Sequence, residues 1–198
     1  MNFAPAKKIS PFHVSAIPDT LYVYAALIQF KQDNTTNAKG DGRFDVSNNY
    51  PDSVDAPPHD SLYFINHLEF LKNYYWKASK GKLFIKYELV GGVRNLSNEM
   101  TQYSPGRNEN LLKLGNMFYE TWKSVDSVYN FAGINPDKSV FVIFHAGAGR
   151  DVDLVSSGIF EGEADLPSVY LSLSTLKNLY GDTTKGYYTN EGLIIGNS

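Results

Sequence analysis

Apolar positions along the chain form two kinds of pattern, which together predict strands that alternate with helices. Residues 21–30 are a nearly continuous apolar run rich in β-formers, typical of a strand that is covered on both faces and central in its sheet. Residues 139–144 are a second such run, and we expect this strand to be fully buried. Residues 82–90 alternate instead, which predicts a strand with one wetter face.

Two segments place apolar residues at helical spacing. Residues 61–80 follow two prolines and Asp60, a plausible N-cap, and Gly81 supplies a left-handed C-terminal residue. Residues 109–128 have one apolar face and end before a turn at residues 133–138. We therefore predict helices over both segments.

The rest of the chain is less regular. Residues 1–18 contain three prolines without periodicity and are predicted to be a lead-in segment, followed by one domain over residues 19–198. Residues 31–58 are rich in Asn, Asp, Gly and Pro, and a loop of this length is usually functional or mobile. No internal repeat or linker divides the chain.

The last third predicts a strand at residues 166–173, a short helix at residues 174–180 capped by Ser174, and half of a hairpin at residues 187–195. The resulting order of elements implies an α+β fold, with a mixed β-sheet and helices packed on it.

Composition narrows the function classes. The chain has 198 residues with 18 basic and 21 acidic side chains, a net charge of -3, and the lack of a basic excess argues against nucleic acid as a partner. No apolar run approaches the ~20 residues of a membrane span. The sequence has no cysteine, which excludes disulfides, thiolate zinc sites and cysteine nucleophiles.

Candidate chemistry begins with the histidines. The four histidines are His13, His59, His67 and His145, and none of them starts a His-Glu-x-x-His zinc motif. His59 and His67 stand eight positions apart, a spacing that favours structural or surface roles over a chelate. A Gly-x-Ser-x-Gly nucleophile elbow is also absent from the sequence.

A glycine loop follows the strand at residues 139–144. Gly147-Ala-Gly149 lacks the third glycine of a dinucleotide fingerprint and the Gly-Lys-Ser/Thr of a P-loop. His145, Asp151 and Asp153 form the densest polar cluster beside this strand. The cluster is consistent with a tight turn whose aspartates cap backbone N–H groups, or with groups that line a cleft or bind calcium.

The long loop offers a second calcium hypothesis. Asp33, Asp41 and Asp45 could supply oxygen ligands, although Asp41-Gly-Arg-Phe-Asp45 lacks the alternating acidic spacing of an EF-hand.

Several segments together resemble a known family. They are the strand at residues 21–30, Asp41-Gly-Arg-Phe-Asp45, Pro57-Pro-His-Asp60, the joint Tyr74-Tyr-Trp-Lys-Ala-Ser-Lys-Gly-Lys-Leu83, Tyr103-Ser-Pro, and Val142-Ile-Phe-His-Ala-Gly-Ala-Gly-Arg-Asp-Val-Asp153. Over residues 19–180 the chain is similar to the front half of immune inhibitor A-type secreted bacterial zinc metallopeptidases. The resemblance implies a zincin-like fold whose His-Glu-x-x-His helix lies downstream of the matched region, so it assigns no catalytic residue here.

Two hypotheses for function follow. In the first, the chain is the N-terminal scaffold of an exported, metallopeptidase-like hydrolase, extracellular or periplasmic, although the chain carries no signal peptide. Zinc is then expected only in the longer parent protein, and the partner is a polypeptide substrate or the C-terminal part of the same domain. In the second, the chain is a non-enzymatic extracellular module that binds protein or glycan.

Overall fold

The computed structural model describes residues 18–33, 40–48, 55–106, 108–150, 165–181 and 186–196. The predicted lead-in segment, except for Pro18, lies outside these ranges. The elements in chain order are β1 (Asp19–Gln29), α1 (Ser61–Ala78), β2 (Leu83–Asn95), α2 (Met100–Tyr103), α3 (Leu112–Asp126), a 3-10 turn (Pro136–Lys138), β3 (Ser139–His145), α4 (Leu173–Tyr180), β4 (Tyr187–Tyr188) and β5 (Ile194–Ile195). No helix within the described ranges is both long and apolar enough to cross a membrane.

β1 is the central strand of the main sheet, whose order is β2-β1-β3. Val23 and Ala25 face one side of this sheet and pack with α1, whereas Ala26, Ile28 and Phe30 belong to the core on the other side. The prediction of a central strand covered on both faces is therefore confirmed. An apolar run without alternation is what burial on two faces requires.

The combination of a sheet with packed helices is as predicted, but the main sheet is not mixed over the described residues. β1 pairs parallel with both β2 and β3, and the antiparallel pair β4-β5 forms a separate hairpin. Helix α1 connects β1 to β2, and helix α3 lies between β2 and β3 along the chain. Parallel strands of one sheet need long crossover connections of this kind.

The core has two layers of unequal size. The larger layer lies between the sheet and α3, where Phe118 and Trp122 are completely buried. The smaller layer lies under α1, where Leu68 and Ile85 are buried against β1. Helix α3 thus buries the apolar stripe from which it was predicted, whereas α1 buries Phe64 and Leu68 of its stripe and leaves Tyr75 41% exposed.

The predicted strand at residues 166–173 is wrong. Leu166 makes only an isolated parallel bridge with Gly149, and Pro167 cannot donate a backbone hydrogen bond that would continue it. Helix α4 begins at Leu173, and its N-cap is Ser172 rather than Ser174. The hydroxyl of Ser172 accepts from the N–H of Thr175 over 3.1 Å, which places the N-cap two residues before the predicted one.

Strand β3 is only partly buried, contrary to prediction. Ser139 and Phe141 are buried, but Val142 and Phe144 are partly exposed. The reason is position, since β3 pairs with β1 on one side and has no strand on its other side among the described residues. An apolar run does not distinguish this edge strand from a central one.

Candidate functional site

A cleft of about 420 Å³ opens at the carboxyl ends of β1 and β3, the position where parallel sheets place their sites. We call it the polar cleft. It is lined by Gly40, Arg43, Phe44, Asp45, Asp55, His59, Tyr63, Phe64, His67, Phe144, His145, Ala146, Gly147 and Ala148.

The first wall of the polar cleft is the start of α1. Asp60 is the N-cap, and its carboxylate accepts from the backbone N–H of Tyr63 over 3.1 Å. The ring of Tyr63 lies between two imidazoles, with centroid distances of 4.8 Å to His59 and 4.4 Å to His67. The spacing of four residues brings the three rings together, with Tyr63 and His67 on one face of α1 and His59 directly before the N-cap.

Asp55 contacts two of these three rings, Tyr63 and His59. The Tyr63 hydroxyl donates to the Asp55 carboxylate over 2.7 Å, and His59 Nε2 lies 3.5 Å from the other carboxylate oxygen. Burial of the ring and the hydrogen bond to Asp55 raise the pKa of Tyr63 to about 12. Tyr63 is therefore a neutral hydrogen-bond donor in the cleft and not a base at neutral pH.

The second wall is the loop that follows β1. The backbone N–H of His59 donates to the carbonyl oxygen of Asp45 over 2.7 Å, which joins this loop to the helix start. Hydrogen bonds from Ser47 lower the pKa of the Asp45 carboxyl, so Asp45 carries a negative charge. Arg43 donates to Asn95 Oδ1 over 2.5 Å, which directs its guanidinium towards the end of β2.

The third wall is the turn after β3. His145 Nδ1 lies 3.0 Å from the carbonyl oxygen of Ala146, and its ring centroid is 6.3 Å from that of Phe30. The backbone N–H of Ala146 donates to the carbonyl oxygen of Ile28 over 2.9 Å. The turn is thus anchored to the central strand, and His145 stands at the rim of the cleft.

His145 also lines a second depression of about 540 Å³, which we call the β3 groove. Among the described residues its lining contains no aspartate, glutamate, lysine or arginine, and its described side chains are apolar apart from His145, Ser168 and the hydroxyl of Tyr170. The lining residues are Leu114, Met117, Phe118, Val140, Phe141, Val142, Ile143, Phe144, His145, Gly147, Gly149, Leu166, Pro167, Ser168, Val169, Tyr170 and Leu171. The polar cleft and the β3 groove meet at Phe144, His145 and Gly147.

The backbone of β3 supplies the polar groups of the groove. Because the Ala146 N–H points to β1, backbone groups of alternate residues such as Phe141 and Ile143 point to the opposite side in a parallel ladder. That side is the groove, where no strand pairs with β3 in the described part of the chain. The groove therefore combines apolar side chains with a row of main-chain donors and acceptors.

The sequence-predicted site residues are only partly brought together. His145 lines the polar cleft, while Asp151 and Asp153 lie outside the described residues, so the two alternatives for this cluster stay predictions. Of the three aspartates in the calcium hypothesis, Asp45 lines the cleft, whereas the Asp41 carboxylate accepts from Arg43 N–H and from Gln32. Within the described ranges, no three His, Asp or Glu side chains are grouped so that they could hold a metal ion.

His59 and His67 belong to the cleft, although their separation in sequence indicated surface or structural roles. The signal was the series His59, Tyr63 and His67 at intervals of four, which places Tyr63 and His67 on one face of α1 and His59 directly before its N-cap. Arg150 was also overlooked. Its Nη2 donates to the Ser104 hydroxyl over 2.6 Å and to the Pro105 carbonyl over 2.7 Å, beside the groove.

Comparison with known proteins adds no relative. The chain matches no protein-family model, no curated protein and no solved structure. The similarity to immune inhibitor A-type peptidases accordingly rests on the residues and motifs quoted above, and the site has to be interpreted from its own geometry.

Proposed function

We propose that this chain is the scaffold portion of an exported, metallopeptidase-like protein and that its ligand is an extended polypeptide bound along β3. The observation that carries the proposal is that β3, within the described part of the chain, pairs with a strand on one side only and borders the β3 groove on the other. The motif similarity over residues 19–180 supports the same class of ligand, because peptidases bind unfolded chain.

An extended peptide satisfies this surface better than a compact ligand does. A sheet edge offers main-chain donors and acceptors that a further strand can pair with, and this mode of binding gives affinity without a particular sequence. Alternate side chains of the peptide would then contact the apolar lining, including Met117 and Val169. We therefore expect a preference for apolar residues at alternate positions of the bound segment.

The polar cleft extends this site beyond the end of β3. A peptide that leaves the groove at His145 meets a wall with Asp45, Asp55 and the hydroxyl of Tyr63. These groups favour a polar or positively charged side chain at that point of the ligand. Contacts in the groove would supply most of the affinity for the peptide. Contacts in the cleft would fix which residue of the peptide lies at each position along β3.

We assign binding, and not bond cleavage, to the described residues. In the family that the chain resembles, zinc bound by a His-Glu-x-x-His helix activates the attacking water. The sequence contains no such motif, and the described residues do not fit a metal ion. No step of hydrolysis is therefore derived for them.

The proposal is tested by fluorescence polarisation with labelled, unfolded casein. Val169→Arg introduces a charge into the β3 groove, at a side chain that is 38% exposed. We expect affinity for casein to fall at least tenfold while the melting temperature stays unchanged. Val128→Arg is the matched control, since Val128 is 58% exposed and lies outside the groove.

Two results would contradict the proposal. One is equal affinity for casein in the wild-type, Val169→Arg and Val128→Arg proteins, which would move the binding site away from β3. The other is the absence of any binding of unfolded polypeptide by the folded protein. Cleavage of casein by the purified chain with stoichiometric zinc would overturn the assignment of binding alone.

A further inference from the structure

The charge of the chain is distributed unevenly around the end of α1. Residues 70–87 contain five lysines and no acidic residue, although the whole chain has a net charge of -3. Lys72 is paired with Glu69 at 2.9 Å. Lys77, Lys80 and Lys82, which lie on the last turn of α1 and the turn into β2, are exposed and have no ion pair in the described structure.

The same segment carries a concentration of exposed aromatic rings. Phe70 is 72% exposed, Tyr74 55%, Tyr75 41% and Trp76 37%. Large aromatic side chains on a helix are normally directed to the core, and contiguous exposed ones mark a surface that contacts another phase or molecule. Together with Lys77, Lys80 and Lys82 they form what we call the aromatic-lysine surface.

The rings are held by neighbours and are not loosely extended. Phe70 and Tyr74 are one helical turn apart, with ring centroids 6.3 Å apart and planes inclined by 24°. Trp76 packs edge-on against Phe84 of β2, with a centroid distance of 6.1 Å. Phe70, Tyr74 and Lys77 therefore lie on a different side of α1 from the core residues Phe64 and Leu68, whereas Tyr75 follows Leu68 by seven positions and lies at the exposed end of the core face.

We propose that the aromatic-lysine surface docks this protein on an anionic lipid bilayer. Tyr and Trp prefer the headgroup region, where an apolar ring and a polar tip are both accommodated. Lysines beside them are attracted to negatively charged headgroups. The charge complementarity is local, since the remainder of this acidic chain is repelled by the same surface.

Lipid is favoured over nucleic acid by the chemistry of the patch. Phosphate-backbone binding needs a row of cations along the strand, whereas here three lysines stand at one end of a helix and Phe70 and Tyr74 are exposed on its outer face. Insertion of such rings to a shallow depth suits a bilayer interface. The inference is independent of peptide binding in the β3 groove, so failure of one does not affect the other.

The experiment uses a reporter that the protein already contains. The chain has two tryptophans, and Trp122 is completely buried while Trp76 lies in the proposed surface. Vesicles of phosphatidylcholine with phosphatidylserine should shift the tryptophan emission to the blue and co-sediment the protein. Vesicles of phosphatidylcholine alone should do neither, and high salt should release the bound protein. The emission shift should disappear in Trp76→Phe.

Two pairs of substitutions separate the contributions. The doubly substituted Phe70→Ser, Tyr74→Ser protein and the doubly substituted Lys77→Gln, Lys80→Gln protein should each bind anionic vesicles about tenfold more weakly. Leu62→Ser is the control for an exposed apolar side chain, at 61% exposure on the same helix. Lys123→Gln is the control for an exposed lysine elsewhere, and both controls should bind like wild type.

The proposal is overturned if phosphatidylserine vesicles neither shift the emission nor sediment the protein. Equal binding to neutral vesicles, or equal effects of the paired substitutions and their controls, would also overturn it. Binding of single-stranded DNA through the same residues, without vesicle binding, would assign the surface to another class of partner.

Discussion

The backbone N–H of Arg150 donates to the carbonyl oxygen of Leu166 over 2.8 Å. This hydrogen bond joins the glycine loop that follows β3 to the segment that leads into α4. Gly149 and Leu166 form a parallel bridge at the same place. The two sides of the β3 groove are thus held together at one end, and Leu166 is completely buried there.

The Arg150 side chain should be important for this junction. Arg150→Ala removes two charge-assisted hydrogen bonds, to the Ser104 hydroxyl and the Pro105 carbonyl, and we expect the free energy of unfolding to fall by about 2 kcal/mol or more. Urea unfolding measures the change. Lys123→Ala, at an exposed position of α3, should cost less than about 0.5 kcal/mol, and an equal loss in both variants would contradict a special role for Arg150.

Gly91 should be sensitive to substitution because of both its backbone and its neighbours. Its φ is +73°, and an added Cβ would lie 3.1 Å from Val125 Cγ1 on α3. Gly133 has a φ of +78° with no neighbour within 4 Å of such a Cβ, so Gly133→Ala measures backbone strain alone, about 1 kcal/mol. We expect Gly91→Ala to lower the melting temperature clearly more than Gly133→Ala. Equal decreases would show that Val125 yields to the added methyl group.

The two phenylalanines of β3, Phe141 and Phe144, should differ in their contribution to stability. Phe141 is 3% exposed and packs against Trp122 with a centroid distance of 5.3 Å, so Phe141→Ala should cost about 3–5 kcal/mol. Phe144 is only partly buried, against Phe64 at 5.2 Å, and Phe144→Ala should cost about 2 kcal/mol. Chemical denaturation of both variants checks the order, and the reverse order would contradict the burial described for the edge strand.

Alkaline pH should weaken the fold through Tyr87. Burial and the hydrogen bond to Glu69, at 2.5 Å, raise the pKa of Tyr87 to about 12. The unfolded chain ionises near pH 10, so the stabilisation is complete below pH 10 and is lost as pH rises from about 10 to about 12. Urea unfolding as a function of pH should show this loss, and Tyr87→Phe should reduce the slope between pH 10 and 12. An unchanged slope would exclude Tyr87 as a cause.

The elements predicted correctly from sequence are those in which the buried side chains are the ones that form the apolar pattern. The central strand β1 and the helix α3 bury the faces that their apolar residues define, and α1 does so at Phe64 and Leu68. Strand β2 instead continues past the expected end at Val90, because Gly91 and Gly92 take positive φ and absorb a register shift opposite Ala26 and Leu27. That outcome depends on pairing with β1, which the local sequence does not specify.

The candidate site was less predictable because it also depends on how segments that are distant in sequence pack together. His145 was found because it ends a strand, and the ends of strands are where sites occur. His59 and His67 come from a helix that is distant in sequence, and only the packing of α1 on the sheet brings them to the same cleft. The position of β3 at the edge of the sheet, among the strands that the structure describes, is likewise a property of the sheet order and not of the residues in the strand.

His145→Ala should distinguish the two roles that the sequence left open. As a purely structural residue of the turn, His145 would affect stability and leave ligand binding intact. Because it lies where the polar cleft and the β3 groove meet, we expect casein affinity to fall about tenfold, which corresponds to roughly 1.4 kcal/mol. The free energy of unfolding should change by less than about 1 kcal/mol, since the side chain is only partly buried. Fluorescence polarisation and urea unfolding of the same sample measure both quantities. A loss of stability with wild-type affinity for casein would show that His145 has only a structural role.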